Sequence, residues 1–509
     1  MGDTYDAIPY DSQPFSDARP ASLAALAALH GLEPADPARA HVLDLGCASG
    51  GHIIPLAFFH PEARFTGIDL SAEQIRQGRE LVTALKLGNC DLRQGDVCAL
   101  DLPDASVDYV VAHGLYSWVP DAVRGALLEQ IRRVLAPGGI AYISYNAFPG
   151  WRRRGALRDL LLWHVRDHDT PEARGAAVAA LIGELAPALD DHHPLATELA
   201  RVSRMPVSYL VHEYLETNNQ PFHLHEFAAR TASAGLRYVC DVALNCDLPG
   251  FYGESVEALL AGVNDPVEQA QYLDFFTDRG FRQSLLCRDD APHSELNLDR
   301  FRGLWLLSDL QPRHKCDLRR AKAQAFMDPN GQTTEVVHPL AKSVLSQLAD
   351  AFPRAVSIDA ALETAAAEVR RAGNAALAQQ ADEALSELFT LVAYQVIDLV
   401  TDPGADHPAR DGALRANDLA RHQARLGWSH TATLHHRVYG FDPFIRELLG
   451  LLDGTLDREG LIAALVPRFA PGQALAELAP PGNADNLRRQ IAANLDRVLG
   501  SFGRNGLLR

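Results

Sequence analysis

Three acids stand where short apolar runs end. In Val42-Leu43-Asp44-Leu45-Gly46-Cys47-Ala48-Ser49-Gly50-Gly51, an apolar run carrying Asp44 passes into a turn of small residues and then a helix start. Small side chains at positions 46, 48 and 50 let backbone approach a nucleotide-like ligand closely. Gly67-Ile68-Asp69-Leu70-Ser71 places Asp69 at a second strand end, where a carboxylate accepts hydrogen bonds from both hydroxyls of a ribose. Gly95-Asp96-Val97 follows a third strand, where an acid can receive an adenine amino group while Val97 packs beside the ring. A glycine-rich turn alone is compatible with a structural turn or a dinucleotide site. Each acid alone is an ordinary loop residue, but three strand ends in this order describe a nucleoside site.

Asp44 separates the ligands. An acid at the end of the first strand repels a pyrophosphate and attracts the ammonium of a methionyl tail. This predicts S-adenosylmethionine rather than NAD, held by Asp44, Gly46, Cys47, Ala48, Gly50, Asp69, Leu70, Asp96 and Val97, with Tyr10 closing the site from the N-terminal segment.

The elements that must position these groups alternate. Strands are predicted at 41–45, 64–68, 91–94, 107–112 and 140–145, and helices at about 51–59, 72–87 and 121–135. This is the pattern of an α/β, Rossmann-like fold with a parallel sheet covered on both faces. Val123, Leu127, Ile131 and Val134 share one helix face, and Pro137-Gly138-Gly139 is expected to stop that helix. Residues 1–35 read as an N-terminal cap with a short helix at Ser22 to His30. The core is expected to span 36–295, closed by strands at Leu236 to Leu244 and Phe281 to Arg288, with helical insertions at about 152–218 and 247–280. Beyond it, 296–405 reads as a regulatory, winged-helix-like domain with helices near 340–351, 357–371 and 374–388. A helical C-terminal domain at 406–509 has helices near 442–452, 456–466 and 484–500. Asp402 to Asp411 is the best linker.

Composition narrows the function classes. Acidic residues outnumber basic ones 65 to 47, for a net charge of −18, the opposite of what neutralising many phosphates requires, so no nucleic-acid partner is expected. Apolar runs such as Leu388 to Val400 are shorter than the roughly 20 residues of a membrane span, and no secretion signal is legible. Seven cysteines without a CxxC pair suit reduced thiols in the cytoplasm, and no structural metal is expected. His223-Leu224-His225-Glu226 has a metal-like composition but sits at a helix entry, without the ligand spacing of a zinc site.

The segment from Val42 through Asp96 resembles the core of class I S-adenosylmethionine-dependent methyltransferases, with Ala48 where that family has its middle glycine. Further motifs are Tyr5-Asp6 with Pro9-Tyr10, His113-Gly114-Leu115-Tyr116-Ser117-Trp118-Val119-Pro120, Tyr145-Asn146-Ala147-Phe148-Pro149-Gly150-Trp151, and Asn219-Gln220-Pro221-Phe222 leading into His225-Glu226-Phe227. Together they are similar to bacterial methyltransferases carrying a methyltransferase regulatory domain, including rickettsial lysine methyltransferases that act on outer-membrane proteins. The similarity runs through nearly the whole chain, to Leu449-Gly450-Leu451-Leu452-Asp453-Gly454. It implies a protein substrate, possibly an outer-membrane protein.

The loops after Ala112 and Tyr145 leave the carboxyl ends of strands, where open α/β sheets bind ligands. They place His113, Tyr116, Trp118, Tyr145 and Asn146 as catalytic candidates around the sulfonium methyl. For Tyr116, Trp118, Phe148 and Trp151 an equal reading is that they anchor core or loops, and His113 reads equally as a satisfied buried histidine. If the acceptor is lysine, its amine must first lose a proton, and Tyr116, Tyr145 and Asn146 are the groups expected to hold it in line. Arg152-Arg153-Arg154 reads as a solvated helix start or an acidic-substrate contact. Two alternatives remain open: N- or O-methylation of a small molecule, and a cofactor-binding regulatory module without catalysis.

Overall fold

The computed structural model describes residues 12–190, 192–404, 414–478 and 484–509. Its centre is a seven-stranded sheet in the order β3-β2-β1-β4-β5-β7-β6. The strands are β1 (His41–Leu45), β2 (Arg64–Asp69), β3 (Cys90–Gln94), β4 (Val107–Ala112), β5 (Leu135–Asn146), β6 (Leu236–Asp241) and β7 (Phe281–Arg288). Strands β1 to β5 pair in parallel, and β7 runs antiparallel to both its neighbours.

Every residue of β1 is buried, as a strand with helices on both faces requires. Alternation along the strands divides the core. Val42, Tyr109, Ile140 and Tyr142 face one apolar cluster, and Leu43, Val110, Ala141 and Tyr145 face another, beneath the helix Asp121–Val134. Register then brings the ends of β1, β2, β3, β4 and β5 to one edge, where Phe281 at the start of β7 lies opposite Asn146.

The helix Asp121–Val134 ends within one residue of expectation, but β5 starts at Leu135, five residues earlier than expected. Leu135 already pairs with Val107, so β5 takes up the proline and both glycines, and Gly138 adopts a φ of 107°. The sheet ladder satisfies backbone groups that a longer helix would otherwise have bonded.

Residues 151–215 form helices with their own small apolar cluster around Leu157, Val178, Val202 and Tyr214. Beyond β7, helices Pro339–Ala351, Ile358–Arg371 and Ala381–Ala393 accompany a three-stranded sheet of Trp305–Leu307, Val356–Ser357 and Asp398–Val400. The third helix begins seven residues later than expected, after a short turn at Leu377–Gln379. Its apolar face joins the first sheet cluster, which runs without a break from Ala18 to Leu419. The C-terminal unit has a separate cluster around Leu448, Leu465 and Leu495, and a hairpin of His430–Ala432 with Val438–Gly440.

Candidate active site

The turn after β1 is built from left-handed backbone. Gly46 (φ 77°), Ala48 (φ 49°) and Gly50 (φ 82°) alternate with ordinary residues, and the N–H groups of Gly46 and Cys47 both donate to the Ile68 carbonyl, at 2.8 and 3.2 Å. A side chain at Gly50 would meet Ile54 at 2.7 Å, which accounts for the glycine there. Ala48, with a Cβ, occupies a conformation that L residues adopt at a cost of about 1 kcal/mol. The N-terminal segment lies against the turn: Gly51 N–H donates to Ser12 Oγ at 2.8 Å, and a Cβ at Gly51 would collide with the Ser12 carbonyl.

Asp69 is fixed by the same turn. Its Oδ2 accepts from Ala48 N–H and its Oδ1 from Ser71 N–H, each at 2.9 Å. Each oxygen keeps lone-pair capacity for one further donor, the requirement of a ribose with two hydroxyls. Asp44 is 4% exposed and accepts no hydrogen bond among the described residues. Burial, and then the charge of Asp69, push its carboxyl up to about 8. A buried acid without a partner gains most from a cation placed beside it. Cys47 is buried and its thiol is pushed up, chiefly by burial, so it contributes size rather than reactivity. Leu70 is exposed, Asp96 is exposed with Oδ1 held by Cys98 N–H at 2.9 Å, and Val97 is buried beside it. These groups lie in sequence along the edge, and their chemistry fits S-adenosylmethionine, with Asp44 free to meet a cation and Asp69 free to accept from two hydroxyls. Tyr10, with Tyr5-Asp6 and Pro9, lies outside the described residues.

The loop after β4 lies over this turn, with Leu115 3.4 Å from where a Gly46 Cβ would stand. His113 Nδ1 is 2.8 Å from the Tyr142 hydroxyl, which also accepts from Gln283 Nε2 at 2.8 Å. The tyrosine O–H therefore donates to Nδ1, leaving the imidazole proton on Nε2. Burial pushes His113 down to about 3, so the ring is neutral, and Phe15 stacks on it with centroids 3.6 Å apart.

Asn146 is brought to the same edge and is 4% exposed. Its Nδ2 donates to Asn219 Oδ1 at 2.9 Å, and Asn219 Nδ2 donates to the Glu213 carbonyl at 3.2 Å. Ser117 ties the loops together: its Oγ accepts from Asn146 N–H at 2.9 Å and its carbonyl from Gln220 N–H at 2.8 Å. Trp118 is half-buried in that loop.

Tyr116 and Tyr145 point elsewhere. They are 0% and 1% exposed and pack with Phe222 and Phe227 on the face covered by the helix Asp121–Val134. The Tyr145 hydroxyl accepts from Ser284 at 3.2 Å, while that of Tyr116 has no hydrogen-bond partner among the described residues. The structure thus places His113 and Asn146 at the sheet edge that carries Asp44 and Asp69, and the two tyrosines in the aromatic core behind it. Period-two alternation explains Tyr145, whose face is opposite to that of Tyr142. His223 and Glu226 serve the helix Leu224–Ser233, where the His223 N–H donates to Glu226, and His225 bonds Gln271. Arg152 lies over the Phe148 ring at 4.8 Å. Sequence reasoning did not single out Phe15, His52, Tyr142 or Gln283. Aromatic density in the N-terminal segment pointed to its first residues, and the other three act through partners remote in sequence.

Three family models match the chain: "Methyltransferase domain" over residues 42–139, "Predicted methyltransferase regulatory domain" over 206–288, and "PKMT, C-terminal winged helix domain" over 415–507. The regulatory match thus lies inside the segment read from sequence as core, upstream of 296–405. An uncharacterised protein of Rickettsia prowazekii is 29% identical over 521 residues, covering 99% of this chain and 93% of its own. A second from the same organism is 32% identical over 229 residues, covering 44% of this chain and 92% of its own. PKMT2 from Rickettsia typhi, solved in complex with AdoHcy, superposes with a TM-score of 0.84 at 24% identity, over 98% of this chain and 100% of that one. A second structure of that protein superposes with a TM-score of 0.83 at 25% identity.

Proposed function

Because this chain belongs to the S-adenosylmethionine-dependent methyltransferases that combine a regulatory domain with a PKMT-type winged helix, we propose that it methylates lysine side chains of a protein substrate. The observation that carries the cofactor site is Asp69, whose two oxygens each hold one backbone N–H and keep room for a ribose hydroxyl. Likeness to PKMT2 over 98% of the chain supports the protein acceptor. An outer-membrane protein, met in the cytoplasm before export, is the substrate that the motif resemblance favours. No helix among the described residues is long and apolar enough to cross a membrane.

The cofactor, when bound, supplies an electrophilic methyl on a sulfonium. The residues of the chain then position the reactants. Asp44 would hold the cationic tail, and Asp69 and Asp96 the nucleoside. Neutralising a lysine at pH 7 costs roughly 4 to 5 kcal/mol from its ordinary value, and a desolvating pocket offsets this by disfavouring the ammonium. Asn219 orients the Asn146 amide so that its Oδ1 is left to accept from the incoming amine, which aligns the nitrogen lone pair for in-line attack. His113, neutral and stacked on Phe15, walls the site without adding charge. Residues 296–509 are assigned to substrate docking in this reading.

Transfer of radiolabelled methyl to a cell extract, separated into proteins and small metabolites, tests the reading. Label in lysine of the protein fraction is expected. Label confined to small molecules would sink the protein-substrate assignment, and calorimetry showing unaltered affinity for S-adenosylmethionine in Asp69→Ala would sink the ribose assignment.

A further inference from the structure

The C-terminal unit reaches the cofactor turn through the tip of its hairpin. The turn between His430–Ala432 and Val438–Gly440 is closed by Thr433 N–H donating to the Arg437 carbonyl at 2.8 Å and His436 N–H donating to the Thr433 carbonyl at 2.9 Å. At its apex His436 has a φ of 61°, a left-handed conformation that glycine or asparagine adopts more easily. A histidine held there, 2% exposed, points to a use for its side chain.

Its partner is His52, the residue after Gly50-Gly51 and the entry to the helix Ile53–Phe59. His436 Nε2 lies 2.8 Å from His52 Nδ1, with the rings edge-on and centroids 4.6 Å apart. Phe15 N–H also points to His52 Nδ1, at 3.3 Å. A nitrogen approached by a backbone N–H is the acceptor, so His436 supplies the other proton and both tautomers are fixed. His52, 3% exposed, is then held by the hairpin tip on one side and by the Phe15 backbone on the other. Phe15 in turn stacks on His113. The tip itself is pinned: Arg437 pairs with Asp309 at 3.4 Å and Asp398 at 3.2 Å, and Arg19 donates to the His435 carbonyl at 3.3 Å. Arg509, at the chain end, lies over Phe58 of the same helix that His52 opens, at 5.7 Å.

We propose that His436 is a positioning residue for the cofactor site. By donating to His52 it holds the end of the glycine turn and, through Phe15, the wall formed by His113, so the winged-helix unit sets the affinity for S-adenosylmethionine. This rests on the cofactor reading above, and the test separates the two.

Full-length His436→Asn keeps a side chain that tolerates left-handed backbone but is too short to reach His52, whereas His436→Gln carries an N–H at nearly the original distance. In cofactor-free protein, hydrogen exchange is expected to quicken about tenfold at the amides of residues 50–56 in H436N, with the hairpin 430–440 unchanged, and to stay near wild type in H436Q. Calorimetry is expected to give about tenfold weaker S-adenosylmethionine binding for H436N only, and kinetics a raised KM for the cofactor with the KM for the acceptor unmoved. Exchange at 50–56 in H436N within twofold of wild type, or H436Q behaving like H436N, would overturn the proposal. Failure of wild type to bind S-adenosylmethionine would refute the cofactor reading instead, while the exchange comparison, made without cofactor, still decides the role of His436.

Discussion

Asn219 fixes which way the Asn146 amide faces: with its own Nδ2 on the Glu213 carbonyl, it offers Asn146 only an acceptor, and takes the Asn146 N–H at 2.9 Å. Replacing Asn219 with Ala frees that amide to rotate. A lost hydrogen bond of about 1 to 1.5 kcal/mol corresponds to a fall in kcat of about tenfold, with affinity for S-adenosylmethionine unchanged. Steady-state kinetics beside calorimetry checks this, and a parallel loss of cofactor affinity would place Asn219 elsewhere in the mechanism.

Asp44 should make cofactor binding depend on pH. Its carboxyl, raised to about 8 by burial and by Asp69, is protonated in the free protein at pH 7, and a cationic tail requires it ionised. Binding below pH 8 therefore releases a proton, and affinity should rise by up to about tenfold per pH unit between 6 and 8 and then level off. Calorimetry in buffers of different ionisation enthalpy reports the proton directly. Asp44→Asn should bind weakly and without that slope.

At Ala48 the left-handed backbone carries a cost that glycine lacks. Ala48→Gly is expected to raise stability by roughly 0.5 to 1 kcal/mol and to leave cofactor affinity within twofold, because the Ala48 N–H that holds Asp69 is retained. Denaturant unfolding of the two proteins side by side is the measurement, and a destabilised A48G would show that the Cβ has packing value.

Acid should weaken the docking of the C-terminal unit. Burial lowers His52 and His435 to about 3 and holds His436 well below its ordinary value. In the unfolded chain these rings titrate near 6.5. The stabilisation they contribute is therefore complete above that value and is lost as pH falls below it, by about 1.4 kcal/mol per pH unit for each histidine that protonates only on unfolding. Melting temperature followed from pH 7.5 to 5 should fall steeply below 6.5; a flat profile would contradict the buried, neutral state of these rings.

What the sequence made legible is what local pattern encodes. The alternation of apolar runs located all seven strands, and the acids at their ends marked Asp44, Asp69 and Asp96, because strand, turn and acid lie within a few residues of one another. The helix ends within one residue of expectation, at Val134, but β5 begins at Leu135 rather than 140, since pairing of Leu135 with Val107 outweighs the preferences of Pro137 and two glycines. The direction of Tyr116 and Tyr145 was ambiguous because an aromatic at a strand end suits either face until the neighbours Phe222 and Phe227 are in place. His52 and His436 are 384 positions apart, and nothing near either names the other.

That separation has a consequence during synthesis. The glycine turn leaves the ribosome early, yet the imidazole that steadies it emerges only after 384 more residues, roughly 20 to 75 s later at ordinary elongation rates. Once β7 has emerged the nascent domain has all seven strands of its sheet but still lacks the partner of His52. A chain truncated before the hairpin would keep Asp44, Asp69 and Asp96 but lack the imidazole that steadies the turn.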